Sequence, residues 1–322
     1  MIGNPKSLAV DNDGRLYVAD AERSFVWIFS PRGDSIGVIG RQGRGPGEFL
    51  RPSSVRVGPN DSLFVLDGMI HRVSVFAPDS TRSFAYSFRL PLSQNRLPSA
   101  IYPTQSGRLA ARYTRPKNPN LRAPGHWIMR VNRRGDILQD SLLYLPLKEI
   151  YVEEPSPGHL RSVTPPFGRR PVFSYGTERG VCFGWNARLR IRCWTLGEAA
   201  TTVLNVEHTP YPVSDEEIRL SRQGLPDELV PMIEKKGWHD THPAFLDMFV
   251  DRAGRFWIIE PSGRMGAGTP SYSWHLVDLD TRTFWSVHLP PRMRIRAATR
   301  KYAYGTRVSD PTLFVFRIKT GR

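Results

Sequence analysis

An acid ends the second strand of a recurring segment at Asp20, Asp67 and Glu260, and the matching positions of the other copies hold Tyr113, Trp185 and Thr306. Carboxylates and aromatic rings gathered at one opening could hold a cation or a sugar. The same acids have a plainer use, because an Asp at a strand end caps its own hairpin by accepting from local N–H groups. The cap is the favoured reading. Histidines add a second candidate chemistry. His71, His126, His159, His208, His239, His242 and His275 map to the face that carries these strand ends, and His239-Asp240-Thr241-His242 is the one tight cluster. Zinc needs three or four ligands, and no set of three follows from the spacing, so His239 and His242 remain metal candidates without a third partner. No Gly-x-Ser-x-Gly elbow occurs, which removes support for a serine hydrolase. Gly43, Gly45 and Gly47 are spaced for a turn and not for a phosphate loop opening a helix.

Those positions have meaning only within a repeat. LAVDNDGRLYVAD at 8–20 returns as VRVGPNDSLFVLD at 55–67 and as FVDRAGRFWIIE at 249–260. Anchors at Leu16, Leu63, Leu109, Val181, Phe256 and Tyr302 mark six copies, the first three 47 and 46 residues apart. That period is one of propeller blades. Leu16 to Phe29, Leu63 to Phe76 and Val181 to Trp194 are each thirteen apart, as two antiparallel strands and a tight connection require. Asp13-Gly14, Asn60-Asp61, Ser106-Gly107 and Ala253-Gly254 supply the first turns. The expected fold is all-β: a six-bladed β-propeller of four-stranded antiparallel blades in one domain over 1–322, with Leu16, Val18, Leu63, Val65, Phe256 and Ile258 buried between blades and Arg32 and Asp280 on short-turn tips. Gly and Pro make 55 of 322 residues, enough for many turns and too few for disorder. No stretch approaches the roughly 20 apolar residues that span a bilayer.

GRQGRGPGEFLRP at 40–52, followed by LFVLD and RVSVF, resembles the NHL-repeat group of bacterial six-bladed propellers, within the TolB-like superfamily. The resemblance is sharpest over 5–90 and 245–290. It implies a propeller and a binding scaffold, and it brings no catalytic set. Some NHL proteins bind RNA, propeller lyases similar to this group use a histidine-lined metal site, and gluconolactonase-like propellers hold calcium with Glu and Asn around the axis. Glu260 and Asn186 are the residues here that answer to the last pattern.

The long segments 113–126, 144–171, 207–244 and 261–273 all join strands two and three of a blade or one blade to the next, so one face carries the elaboration. Loops on a rigid scaffold are where binding sites are built. Ser214-Asp215-Glu216-Glu217 is a capping box opening a helical insertion at about 214–236, expected between blades four and five. Ligand is expected at the channel mouth on this face, against Asp20, Asp67, His71, Tyr113, Trp185, Glu260 and His275. Cys182 and Cys193 fall opposite one another in a hairpin, where a cross-strand disulfide and two buried thiols are both feasible. Net charge is +15, with 45 Lys and Arg of which 38 are Arg. The basic runs Arg188–Arg192 and Arg292–Arg296 alternate with apolar residues, and read as the outer face of a strand. A positive field favours acidic partners, but no stacking-aromatic RNA signature is present.

The resulting expectation is a non-enzymatic, monomeric propeller that binds a protein, peptide or carbohydrate ligand and needs no cofactor. The alternatives are a metal-dependent lyase or lactonase with zinc or calcium, and a binder of anionic polymer or nucleic acid. Only Met1–Asn4 precede the first strand, so a closing strand and an export signal are expected upstream, placing the protein in the periplasm, outside the cell or on a lipid anchor.

Overall fold

Turn chemistry starts each blade. Asp11 and Asp251 sit at the ends of first strands, and their carboxylates accept from the N–H of Arg15 at 2.8 Å and of Arg255 at 3.0 Å. Gly14 and Gly254 follow at φ +80° and +78°, where a side chain would be strained. The computed structural model describes residues 2–104, 106–115, 125–176, 179–195, 200–261, 272–287, 289, 293–307 and 310–318.

Antiparallel sheets form in sequence order. The first holds β1 (Pro5–Val10), β2 (Leu16–Asp20), β3 (Phe25–Phe29) and β4 (Ser35–Ile39). The second holds β5 (Pro52–Val57), β6 (Leu63–Asp67), β7 (Arg72–Phe76) and β8 (Phe84–Arg89). The third holds β9 (Leu97–Pro103), β10 (Leu109–Arg115), β11 (Gly125–Val131) and β12 (Ile137–Pro146). A two-stranded sheet, β13 (Tyr151–Ser156) and β14 (His159–Val163), comes next. It precedes β15 (Pro171–Gly176), β16 (Gly180–Trp185), β17 (Arg190–Trp194) and β18 (Thr201–Asn205). Helices α1 (Asp215–Gln223) and α2 (Val230–Lys236) lead to β19 (Asp247–Val250), β20 (Phe256–Pro261), β21 (Tyr272–Asp278) and β22 (Thr283–Val287). The last sheet is β23 (Met293–Ala298), β24 (Tyr302–Arg307) and β25 (Asp310–Arg317).

Apart from the two-stranded β13–β14, these sheets are the blades of a six-bladed β-propeller. First strands pack side by side, β1 on β5, β5 on β9, β15 on β19, β19 on β23, and β23 back on β1. The thirteen-residue spacing is the register itself, since Leu16 pairs with Phe29, Leu63 with Phe76 and Val181 with Trp194. One expectation needs correction. Counted along the chain, the helices fall between the fifth and sixth sheets and not between the fourth and fifth, because the 144–171 segment folds into a sheet of its own, β13–β14. The last blade has three strands among the described residues and the other five have four.

Apolar packing runs between neighbouring blades. Leu16, Leu63, Val65 and Phe256 are fully buried, and Val18 and Ile258 are 1% exposed. The last blade docks on the first through Val10, Leu16, Val18, Phe29, Ala297 and Tyr304, and the Tyr304 hydroxyl lies 3.2 Å from the Gly14 and Pro31 carbonyls. A buried ion pair joins the first two blades. Arg82, 3% exposed, donates to Asp11 at 2.7 Å and to the Tyr17 hydroxyl at 2.8 Å, and that hydroxyl donates to Asp11 at 2.8 Å. Arg72 plays a local role, donating to the carbonyls of Arg44, Gly45 and Glu48 and so shaping the Gly-rich loop.

Replacing Asp11 with Ala would strand the Arg82 guanidinium without its buried partner. The expected cost is about 3–5 kcal/mol, read as a lower urea midpoint at unchanged m-value. A loss under 1 kcal/mol would show that the pair does not tie the blades.

Candidate functional site

The first strand of each blade lines the propeller axis, and alternation sends every second side chain inward. Residues of β1, β5, β15, β19 and β23 enclose a cavity of about 700 Å³, the size range of small-molecule sites. Lys6 of β1, Arg56 of β5, Asp247 of β19 and Arg294 and Arg296 of β23 face it, beside the aromatic rings of Phe173, Tyr175, Phe249 and Trp274. At the short-turn end Arg252 reaches across to a different pair of blades, donating to Asn12 at 2.6 and 3.0 Å and to Asp61 at 2.9 Å. Asn12 N–H also donates to Asp61, at 3.1 Å. Arg252 is therefore the floor of the cavity and is already neutralised. Asp251 is committed to Arg255 and the Trp257 indole, at 2.8 and 3.0 Å.

The remaining cations outnumber the acids. Arg56 is half-buried, donates to the Ser7 hydroxyl and the Val55 carbonyl at 2.7 Å each, and leaves its Nε without a partner. Arg294 is half-buried and its Nε likewise has none. Arg296 has one acid within reach, Asp247 at 3.9 Å. A bulge between Ile295 and Ala297 sets Arg296 in the extra position, the usual way a strand re-aims a side chain. Burial lowers the Arg56 guanidinium below its usual pKa, and nearby Arg112 adds to this against the opposing pull of Tyr102. Partial burial and Arg294 lower that of Arg296, with Asp247 opposing. Such shifts mark a pocket in which positive charge is poorly compensated.

The anticipated site residues are distributed differently. Asp20 is fully buried and accepts from the N–H groups of Gly3 at 2.7 Å, Asn4 at 2.9 Å, Glu22 at 3.2 Å and Arg23 at 3.3 Å, and from the Trp27 indole at 3.2 Å. Asp67, also fully buried, accepts from Leu50 at 2.6 Å, Arg51 at 3.1 Å, Met69 at 2.9 Å and Ile70 at 3.3 Å. Both acids cap hairpins and hold the strand that enters the blade. Asn186, 1% exposed, does the same for the β15 blade by accepting from Arg170 N–H at 2.7 Å. Tyr113 is fully buried with its hydroxyl unpartnered, and burial raises its pKa. Trp185 ends β16 half-buried, and His71 occupies a left-handed turn position at φ +52°. None of these, nor Glu260 or His275, lines the cavity; of the six equivalent strand-end positions only Thr306 does.

Three of the histidines lie beside three different carboxylates. His239 lies 3.0 Å from Glu149, His242 3.0 Å from Glu217, and His275 3.4 Å from Glu260. Among the described residues no three His, Cys, Asp or Glu side chains gather as a metal needs. Calcium held by Glu and Asn about the axis does not fit either, since the Asn186 side-chain oxygen accepts from Arg170 N–H and Glu260 faces His275. Glu217 serves α1, its carboxylate accepting from Ser214 N–H at 2.9 Å in the capping box. The two insertions pack together, with Met232 and Ile233 of α2 against Val163 of β14. Arg170 donates to the Leu246 carbonyl, joining their base to the residue before Asp247. Cys182 and Cys193 are joined by a disulfide across β16 and β17, with Cα atoms 4.0 Å apart. Segments 113–126 and 261–273 lie partly outside the described residues, at 116–124 and 262–271.

The basic run at the last blade is the signal that was misassigned. Arg294 and Arg296 alternate with buried Ile295 and Ala297, but they stand on an innermost strand, where the polar side faces the axis and not bulk solvent. Arg190 and Arg192, on the third strand of their blade, are exposed as the pattern implied.

A profile of the DUF5128 family, described as a 6-bladed beta-propeller, matches residues 1–144. No curated protein matches the chain. Among solved structures, a member of the duf4221 family from Bacteroides vulgatus is similar at 11% identity and TM-score 0.57, over 98% of this chain and 93% of that one. A Bacteroides fragilis protein described as exported is similar at 16% identity and TM-score 0.54, over 95% and 79%. A gluconolactonase of Xanthomonas campestris is similar at 13% identity and TM-score 0.50, over 98% and 87%. At these identities the likeness is one of fold.

Asp20 supplies a pH test. Burial alone would raise its pKa, but the N–H groups of Asn4 and Gly3, the Trp27 indole and Arg23 N–H outweigh it, and the net shift is downward. A depressed carboxylate stabilises the fold above its unfolded pKa of about 3.9 and loses that contribution as pH falls through the lower folded value. Asp20→Asn is expected to be less stable at pH 7 and to lose less further stability on acidification below about pH 4 than the parent. Parallel stability–pH curves for the two proteins would refute the assignment.

Proposed function

We propose that this propeller is a non-enzymatic binding protein that takes an anionic ligand into its central channel. The observation that carries the reading is the charge of the lining. Once Arg252 and Asp251 are set aside as internally paired, Lys6, Arg56, Arg294 and Arg296 face a single carboxylate, Asp247. Guanidinium groups in a low-dielectric cleft attract carboxylate and phosphate strongly and can bind either in a bidentate manner. Aromatic walls at Phe173, Tyr175, Phe249 and Trp274 suit the apolar or ring portion of such a ligand. The overall charge of +15 adds a field that steers anions toward the protein.

A metal-dependent lyase or lactonase is the competing reading, and the fold likeness to a gluconolactonase keeps it in view. That chemistry needs several ligand side chains at one point, whereas His239, His242 and His275 are each engaged with a different carboxylate. The NHL-like repeat, the disulfide and the likeness to a protein described as exported support a TolB-like binding scaffold working in an oxidising compartment.

Trp274 lines the channel and reports on occupancy. Titration of its fluorescence with small organic acids and their neutral amides is expected to show saturable binding of the acids alone, weakened by salt. Arg294→Ala is expected to weaken binding by about 1.5–3 kcal/mol, roughly ten- to a hundredfold, as a charge-assisted contact is lost. Equal affinity for acids and amides, or no effect of the substitution, would overturn the reading.

A further inference from the structure

The lining of the cavity is divided into two sides. Around the ring the first strands follow the order β1, β5, β9, β15, β19 and β23, and β23 returns to β1. The step from β9 to β15 is marked by Tyr102 stacking on Tyr175 at 5.4 Å. Apart from Arg252 in the floor, the cations of the lining stand on three consecutive strands: Arg294 and Arg296 on β23, Lys6 on β1 and Arg56 on β5. The rings stand on two other blades, with Phe173 and Tyr175 on β15, Phe249 on β19 and Trp274 on β21 of the same blade as Phe249. In a ring of six, places three apart lie opposite, so β15 stands across the axis from β1, and β19 from β5.

The ring side is held in place by other rings. Phe249 stacks on the fully buried Trp257 at 5.6 Å and meets Trp274 edge-on at 6.3 Å. Tyr175 rests on Tyr102, and Phe173 meets His126 edge-on at 5.1 Å. On the cationic side Arg56 is pinned by the Ser7 hydroxyl and the Val55 carbonyl, and the buried Nε atoms of Arg56 and Arg294 have no partner. Lys6 is exposed. Besides the committed Asp251, the lining holds one acid, and it stands on the ring side. Asp247 of β19 accepts from Met248 N–H at 2.9 Å and lies 3.9 Å from Arg296.

We infer that the cavity selects an aromatic acid, its flat ring laid against the β15 and β19 side and its acid turned to the cations of β23, β1 and β5. This deepens the anion-binding reading and rests on it. The face of an aromatic ring is the negative part of its quadrupole, and Asp247 adds charge of the same sign, so an acid is repelled from that side and drawn to the other. Guanidinium groups can also lie over rings. A ligand reversed end for end would nevertheless set its acid against ring faces and Asp247, and would leave the cations without a counter-charge. A neutral aromatic compound fails in the second respect, and a saturated acid forgoes the ring contacts. Rings already packed from behind lose little freedom when a ligand arrives, which is the advantage of preorganisation. Guanidinium forks accept carboxylate and phosphate alike, so the type of acid is left to the experiment.

The test is calorimetry on the intact chain with phenylacetate, cyclohexylacetate, phenylacetamide and phenyl phosphate. Phenylacetate is expected to bind about fivefold more tightly than cyclohexylacetate, which has the same skeleton without the aromatic face, and about tenfold more tightly than its amide. Phe249→Leu and, separately, Tyr175→Leu are each expected to remove most of the aromatic preference while cyclohexylacetate keeps its affinity to within about twofold. The two substitutions lie on different blades, so misfolding of one leaves the other to decide. Arg294→Ala is expected to weaken both acids together and preserve their ratio. Phenyl phosphate outranking phenylacetate would identify phosphate as the acid and sustain the two-sided site. Equal affinity for phenylacetate and cyclohexylacetate, or an aromatic preference surviving both ring substitutions, would overturn the inference and leave the anion site standing. Phenylacetamide binding as tightly as phenylacetate, or no binding by any acid, would remove both.

Discussion

Asp20 and Asp67 each hold the N–H groups of the strand arriving from outside the blade and the N–H groups of the turn that follows. That double duty is the constraint on which the rest depends. A propeller's first strand has no neighbour of its own blade on the axial side, so its register against the second strand must be set by the ends. A buried carboxylate accepting four or more N–H groups does this, because leaving those donors unpaired in the interior would cost more than any slipped arrangement could return. Once register is set, alternation decides which side chains see the axis, and a one-residue slip would send Arg56, Arg294 and Arg296 to the other side. The polarity of the channel is thus a consequence of capping chemistry at strand ends some distance from it.

Much of this was legible from spacing alone. The thirteen-residue intervals of Leu16–Phe29, Leu63–Phe76 and Val181–Trp194 are cross-strand pairs, and Leu16, Leu63 and Phe256 are buried because every copy puts an apolar residue where neighbouring blades meet. Ser214 and Glu217 announced α1 by chemistry local to four residues. What depended on ring position was harder to read. Arg190–Arg192 and Arg294–Arg296 have the same local pattern, yet one lies on a third strand facing solvent and the other on a first strand facing the axis. Periodicity reports which side of a strand a residue takes, and only the order of strands within the blade says what that side confronts. The hairpin β13–β14 escaped for another reason. Its strands are mostly exposed, so they carry little apolar alternation to detect.

The two long insertions form one body beside the channel. Tyr151 donates to the Gly237 carbonyl at 2.9 Å, and Arg169 reaches the Thr241 carbonyl at 3.1 Å. Val163, Met232 and Ile233 give this body a small core of its own. It meets the rim where Arg170 contacts the Leu246 carbonyl, one residue before Asp247 of the cavity lining. The helices therefore stand beside the cavity without contributing a side chain to its lining.

Arg252, clasped by Asn12 and Asp61, makes the cavity a vessel with a bottom. On the proposed anion-binding reading, a ligand approaching the short-turn end would meet that clasp, and a chain-like one would rest there by a terminus.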